Sequence, residues 1–195
     1  MYSMKQIYPH AILLLLYNTL IVPHFSYCML LWGSKIIEGH SLHLLQKRAL
    51  RIVTNQNYVA HSEPICKSLQ LLKVTDMFRT MIWKFYFKLM NGLLPSYFNI
   101  MIPVLPPICN FHEVRKPIFH LPHIIHEFAE QLIHFQLIRQ LNNETGALLI
   151  SSKVHTHSFL SFKLYIKTTV INNYKDRCEK MICYSCLKRV RSLSE

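Results

Sequence analysis

Apolar residues recur at helical spacing in the segment from 75 to 92. Thr75 and Asp76 stand where a helix N-terminus prefers a capping and an acidic residue, while Gly92 and Pro95 stop the pattern. Spacings of three and four residues place the apolar positions on one broad face, which must be buried. These positions are Met77, Phe78, Met81, Ile82, Phe85, Tyr86, Leu89 and Met90. The segment therefore predicts a long, partly buried helix.

The rest of the chain favours the same fold class. There are four glycines in 195 residues and 51% of the residues are apolar, which is typical of a mostly helical chain with a core. A helix is expected over 7–22, ended or kinked by Pro23, followed by a short segment that Gly33 caps. Another is expected over 41–54, with an apolar stripe of Leu42, Leu45, Ala49, Ile52 and Val53.

Proline content divides the chain into four parts. Five prolines between Pro103 and Pro122 predict an irregular linker over 99–126. A small helical bundle is expected over 7–98, with a short helix near Pro64 that Ser62 caps. A helical segment follows over 127–174, with Ser158 capping its last helix, and a basic tail occupies 175–195. The predicted fold is mostly α: a small bundle followed by a loosely packed, Pro-interrupted, α-rich C-terminal segment.

Carboxylate spacing excludes two-metal catalysis within this chain. Such sites need neighbouring carboxylates, whereas the two aspartates, Asp76 and Asp176, lie far apart and no Asp-Asp pair occurs. The closest glutamates, Glu127 and Glu130, are more typical of a solvated helix face. No Gly-x-Ser-x-Gly elbow occurs either. We expect no catalytic residues and no enzyme activity of its own.

Three C-terminal cysteines form the one candidate metal cluster. Cys178, Cys183 and Cys186 include a Cys-x2-Cys knuckle, which suits tetrahedral zinc, and His155 or His157 is the candidate fourth ligand. The alternative is reduced thiols in a frayed tail. No other cofactor is expected.

The charge balance favours a polyanionic partner. The formal net charge is +12, and Lys47, Arg48 and Arg51 lie within about one and a half turns of one predicted helix. Such residues neutralise backbone phosphates without reading sequence, although a solvated helix face is the open alternative. The candidate nucleic-acid-binding residues are Lys47, Arg48, Arg51, Arg79, Lys84 and Lys88. Trp32, Tyr58 and Trp83 are candidates for base stacking, with core packing favoured for the tryptophans.

The segment from Ala11 to Leu31 is apolar enough to raise the question of a membrane anchor. Asn18, Pro23, His24 and Ser26 interrupt it, however, and its unbroken part, 11–17, is short for a span of about 20 residues. A buried helix is the favoured interpretation and membrane anchoring the alternative.

Four blocks of residues occur in an order that resembles one family. The first two blocks lie in 14–53 and the last two lie in 61–98. Their matching residues are Tyr17, Leu20, Ile21, Pro23, His24, Tyr27, Trp32 and Gly33, then Leu45, Gln46, Arg48, Ala49, Arg51 and Ile52, then His61, Glu63, Pro64 and Leu69 through Leu72, then Leu94, Pro95, Tyr97 and Phe98. The chain resembles the part that follows the polymerase palm in LINE-type, jockey-like non-LTR retrotransposon reverse transcriptases.

The resemblance covers roughly 14–174 and implies a thumb followed by post-thumb sequence. In that family the palm, with its paired aspartates and Mg²⁺, precedes this stretch, and here thirteen residues precede Leu14. The resemblance therefore implies a truncated remnant of an RNA-directed DNA polymerase that at most binds an RNA/DNA duplex, without a small-molecule substrate, in the nucleus or cytoplasm.

The C-terminal third departs from the family pattern. Of the usual His-x-Tyr-x-Thr-Arg element, His112 and Arg115 remain, and Gln140 to Asn143 replace a Trp-Asn pair, while 161–163 keeps Ser-Phe-Lys.

Two alternatives to a reverse transcriptase remnant stay open for the chain. One is a small membrane-anchored protein, and the other is a domesticated interaction protein with no catalytic role.

Overall fold

The computed structural model describes residues 6–38, 41–58, 60–101, 123, 127–143, 154 and 157–175. The predicted mostly-α class is confirmed, since these residues form helices and turns and include no strand. Most of the predicted linker and nearly all of the predicted tail lie outside the described residues. Among the described helices, none is long and apolar enough to cross a membrane.

The described helices range in length from 5 to 17 residues. A π-helical turn, Tyr17–Ile21, follows the first α-helix, and two 3-10 helices, Ser96–Met101 and Glu127–Gln131, lie further along. The α-helices are α1 (His10–Leu16), α2 (Val22–Ser26), α3 (Met29–Glu38), α4 (Ser41–Val53), α5 (Ser62–Ser68), α6 (Val74–Met90), α7 (Ile133–Asn143) and α8 (Phe159–Asn172).

Helical backbone continues past Pro23, so this proline does not end the first helix, and a kink remains the other outcome that the sequence predicted. Pro23 stands in the first turn of α2, where a missing N–H is tolerated, and the wider π-helical turn comes directly before it. The chain leaves helical geometry at Tyr27, whose ψ is 122°, and Cys28 has a φ of 47°. The break thus lies about one turn later than the sequence indicated.

Gly33 is buried inside α3 and does not cap a helix, which corrects a second prediction. A Cβ atom at this position would lie 2.5 Å from Cδ2 of Phe78 and 3.1 Å from Cγ of Met29. The residue is glycine because the Phe78 ring packs directly against the helix backbone. The signal in the sequence, a glycine after an apolar run, is the same for a cap and for such a close approach.

Replacing Gly33 with alanine is expected to lower the free energy of unfolding by about 1 kcal/mol. Alanine gains up to about 1 kcal/mol in helix propensity, but overpacking a core site costs about 1–3 kcal/mol. Phe78 is buried and has little room to move. Urea denaturation measures the change. In a Phe78→Leu background the same substitution should cost less, and an equal cost in both backgrounds would contradict the contact.

The buried face of α4 is rotated from the predicted stripe. Gln46 and Leu50 are among its most buried residues, at 1% and 0% exposure, whereas Leu45 is 52% exposed. The two predicted N-caps, Ser62 and Thr75, lie inside their helices instead. The N-cap of α5 is His61, and α6 begins at Val74.

The chain divides into two compact units, and α3, α6 and α8 each contribute residues to both. The first unit comprises Met1–Tyr27, Ile36–Met77 and Thr168–Glu195, and the second comprises Cys28–Lys35 and Phe78–Lys167. The first has a core of Leu13, Tyr17, Ala49, Leu50, Val53, Ile65, Cys66, Ile171 and Tyr174. Buried residues of the second include Met29, Phe78, Ile82, Trp83, Phe87, Phe135, Ile138 and Phe162.

Candidate nucleic-acid interface

The candidate phosphate-binding residues fall in both units. Lys47, Arg48 and Arg51 belong to α4 in the first unit, and Arg79, Lys84 and Lys88 belong to α6 in the second. Arg48 is exposed, while Lys47 is half-buried. The exposed side chain of Arg48 is accessible to a phosphate.

Arg51 holds a loop of the first unit in place. Its Nε donates a hydrogen bond of 2.8 Å to the carbonyl oxygen of Ala60, and its guanidinium carbon lies 5.6 Å from the ring centroid of Tyr58. Burial lowers the pKa of Arg51, with the nearby Tyr58 acting in the opposite direction. We therefore assign Arg51 a structural role in holding this loop. Arg48 and Lys47 are then the stronger candidates for phosphate binding on this helix.

Four lysines of the second unit lie on two helices that pack through aromatic rings. The ring centroid of Phe87 in α6 lies 4.6 Å from that of Phe162 and 5.6 Å from that of Phe159, both in α8. Lysines on the two helices flank this contact. They are Lys84 and Lys88 on α6 with Lys163 and Lys167 on α8, and we call them the lysine cluster.

Each helix presents its two lysines one turn apart. The spacing of four residues in both pairs places the side chains on the same helix face. The Nζ of Lys88 lies 5.4 Å from the ring centroid of Phe159, so the ammonium rests over the aromatic surface. Each of the two helices thus contributes one pair of lysines near the aromatic contact of Phe87 with α8.

The lysine cluster has no compensating charge nearby in the sequence. Neither 77–101 nor 157–175 contains an aspartate or a glutamate. Among the described residues, these four lysines form no ion pair with a carboxylate. Burial lowers the pKa of Lys84, and the charges of Lys163 and Lys167 lower it further. Like charges held together in this way destabilise the fold unless an anion occupies the site.

Arg79 does not belong to the lysine cluster. At about 100° of rotation per residue, it lies about 140° around α6 from Lys84 and about 180° from Lys88. Its side chain is exposed.

Lys163 and Lys167 were not identified as candidates from the sequence. The available signal was the same four-residue lysine spacing in two acid-free segments.

Of the predicted zinc ligands, His157 alone lies among the described residues. Cys178, Cys183, Cys186 and His155 lie outside the described residues. His157 is described, and its Nδ1 is hydrogen-bonded to Oγ of Ser161 at 3.0 Å. Within the described part of the chain, no group of three or more His, Cys, Asp or Glu residues could hold a metal ion.

Asp76, Tyr174 and Cys66 are titratable groups in the first unit, and we assign them structural roles. Tyr174 donates a hydrogen bond of 2.6 Å to Oδ2 of Asp76, which gives this buried carboxylate a structural role. Cys66 is a buried free thiol whose pKa is raised to about 11, chiefly by burial. A thiol in that state is a poor nucleophile near neutral pH.

Comparison with protein-family models, with curated proteins and with solved structures finds no match for this chain. The resemblance to reverse transcriptases that the sequence motifs suggest therefore stays a prediction.

Proposed function

We propose that this chain is a non-catalytic, nucleic-acid-binding helical module, related to the thumb of a LINE-type reverse transcriptase, that binds the phosphates of a template-primer duplex. The observation that carries the proposal is the lysine cluster, whose four cations form no ion pair with a carboxylate among the described residues. Phosphate oxygens are the ligands that would relieve this repulsion. The proposed location is nuclear or cytoplasmic.

The four ordered motif blocks support the family part of the proposal. The chain contains no Asp-Asp pair, so the proposed role is binding and excludes polymerisation. Helices that present lysines to a duplex neutralise phosphates without reading bases, which suits a polymerase thumb because the template sequence varies.

Binding to a DNA duplex with a recessed end should weaken steeply with salt. Each neutralised phosphate adds about −0.9 to the slope of log K against log salt, so four lysine contacts give a slope of about −3.6. In the double variant Lys163→Gln/Lys167→Gln, the slope should become shallower by about 1.8. Fluorescence anisotropy across a salt series measures both slopes.

The control removes a lysine outside the cluster. Lys175 is exposed and belongs to the first unit. Lys175→Gln should change the slope of log K against log salt by less than about half of the contribution of one phosphate contact. An unchanged slope in the double variant would contradict the lysine cluster as the interface. Absence of binding in a folded sample would favour a domesticated interaction module.

A further inference from the structure

Tyr58 is an exposed aromatic residue of the first unit whose ring is held from one side. The residue is 69% exposed, and the guanidinium carbon of Arg51 lies over the ring, 5.6 Å from its centroid. Arg51 is itself fixed, since its Nε donates a hydrogen bond of 2.8 Å to the carbonyl oxygen of Ala60. With one face beneath the guanidinium, the exposed part of the ring comprises the opposite face and the edges. A planar group can stack on such a face.

Hydrogen bonds also fix the backbone on both sides of Tyr58. At the end of α4, the N–H of Gln56 donates to the carbonyl oxygen of Arg51 at 3.0 Å, a bond that is typical of a helix C-terminus. Further on, the N–H of Ala60 donates to the carbonyl oxygen of Asn57 at 2.9 Å and closes a turn that contains Tyr58. The ring is thus ordered before a ligand binds, which lowers the entropic cost of stacking.

Positive charge lies on α4 beside the residue that holds the ring. Lys47 and Arg48 precede Arg51 by four and three residues, so the three cations occupy neighbouring positions on one helix face. Arg48 is exposed and Lys47 is half-buried. The segment 39–62 contains no aspartate or glutamate. An exposed ring face beside cations suits a ligand in which planar bases are joined by phosphates.

We propose that the exposed face of Tyr58 stacks on an unpaired nucleobase, so that the first unit binds single-stranded nucleic acid while Arg48 and Lys47 neutralise its phosphates. This inference rests on the proposed function and extends it from the phosphates of a duplex to unpaired bases. Inside a duplex, neighbouring bases cover each base, whereas the bases of a single strand are free to stack on a protein ring. Every base has such a face, so binding should tolerate changes of sequence.

Two single strands separate stacking from charge. One is a short oligothymidylate, and the other has the same sugar-phosphate backbone built from tetrahydrofuran residues, which carry no base. Fluorescence anisotropy with the full chain gives the Kd for each strand. Tyr58→Ala should weaken binding to the oligothymidylate by about ten-fold, because it removes one stacked base, and should change binding to the base-free strand by less than about two-fold.

Three further variants locate the effect. Tyr58→Phe keeps the ring and should keep the wild-type affinity for both strands. Arg48→Gln removes an exposed cation and should weaken binding to both strands by the same factor, because phosphates are common to them. The matched control Tyr97→Ala removes an exposed tyrosine of the second unit and should leave both affinities unchanged.

Binding to a duplex is measured in parallel, so that the two proposals fail in different ways. A loss of affinity in Tyr58→Ala that is confined to the oligothymidylate, with wild-type affinity in Tyr58→Phe, supports stacking. An unchanged affinity in Tyr58→Ala, or an equal loss for both strands, overturns stacking, and persistent duplex binding then leaves the proposed function standing. Absence of binding to the oligothymidylate also overturns stacking, whereas absence of binding to the duplex overturns the proposed function.

Discussion

Replacing Gln46 with alanine is expected to lower the free energy of unfolding by about 3–5 kcal/mol. The side chain is 1% exposed and forms three hydrogen bonds inside the first unit. Its Nε2 donates to the Tyr17 hydroxyl oxygen at 3.1 Å and to the Leu72 carbonyl oxygen at 2.9 Å, and its Oε1 accepts from the Val74 N–H at 2.9 Å. Alanine removes every one of these contacts and leaves a cavity.

The size of the effect follows from what Gln46 connects. Val74 is the first residue of α6, and its N–H would otherwise lack an intrahelical partner. Tyr17 lies in the π-helical turn and is 1% exposed. A buried polar group that loses its partner costs about 1–3 kcal/mol, which is large beside a total stability of about 5–15 kcal/mol.

Two further variants isolate the hydrogen bonds. Gln46→Met keeps most of the volume but none of the amide, and we expect a loss of about 2–3 kcal/mol. Gln56→Ala removes an exposed glutamine just beyond the C-terminus of α4 and should change stability by less than about 0.5 kcal/mol. Urea denaturation followed by circular dichroism measures all three. A neutral Gln46→Met would show that packing, and not hydrogen bonding, makes Gln46 important.

Helix periods were predictable from the sequence, but helix phase was not. The period of apolar residues predicted α4 and α6 closely, because period and stop signals are local. In α4, leucines occur on several sides, so the pattern did not identify Gln46 as a core residue. Its burial depends on partners such as Tyr17 and Val74, which are distant in the chain.

The lysine cluster shows the same limit for function. Lys84 and Lys88 were predicted from their place on the polar side of a helix. Lys163 and Lys167 were not, because their proximity to Lys84 depends on how α6 and α8 pack through Phe87 and Phe162. Sequence spacing predicts which residues share a helix face, whereas a cluster that spans two helices requires tertiary contacts.

Replacing Tyr174 with phenylalanine is expected to lower the free energy of unfolding by about 2–4 kcal/mol. The hydroxyl group donates to Oδ2 of Asp76 and accepts a hydrogen bond of 3.0 Å from the backbone N–H of Lys73. Phenylalanine keeps the ring, which lies 4.4 Å from the Nζ of Lys73. The variant thus removes the polar contacts alone, and the buried Asp76 carboxylate loses a donor. Tyr58→Phe, at an exposed site, should cost less than about 0.5 kcal/mol.

The dependence of stability on pH provides a second, independent test of the Tyr174 contact. Burial, followed by the hydrogen bond to Asp76, raises the pKa of Tyr174 above its ordinary value. Above pH about 10 the unfolded tyrosine loses its proton while the folded one keeps it, so stability falls as pH rises. Burial likewise raises the pKa of Tyr17 to about 12 and that of Cys66 to about 11, which adds to the decline.

In Tyr174→Phe the decline of stability above pH about 10 should be less steep, by up to about 1.4 kcal/mol per pH unit, because one titrating group has been removed. Urea midpoints measured from neutral to alkaline pH give this slope for the wild type and for Tyr174→Phe. Tyr58→Phe should keep the wild-type slope because no buried hydroxyl is lost. An unchanged slope in Tyr174→Phe, combined with a small loss of stability at neutral pH, would mean that the Tyr174 hydroxyl is hydrated and that the Asp76 contact does not hold the end of α8 in the first unit.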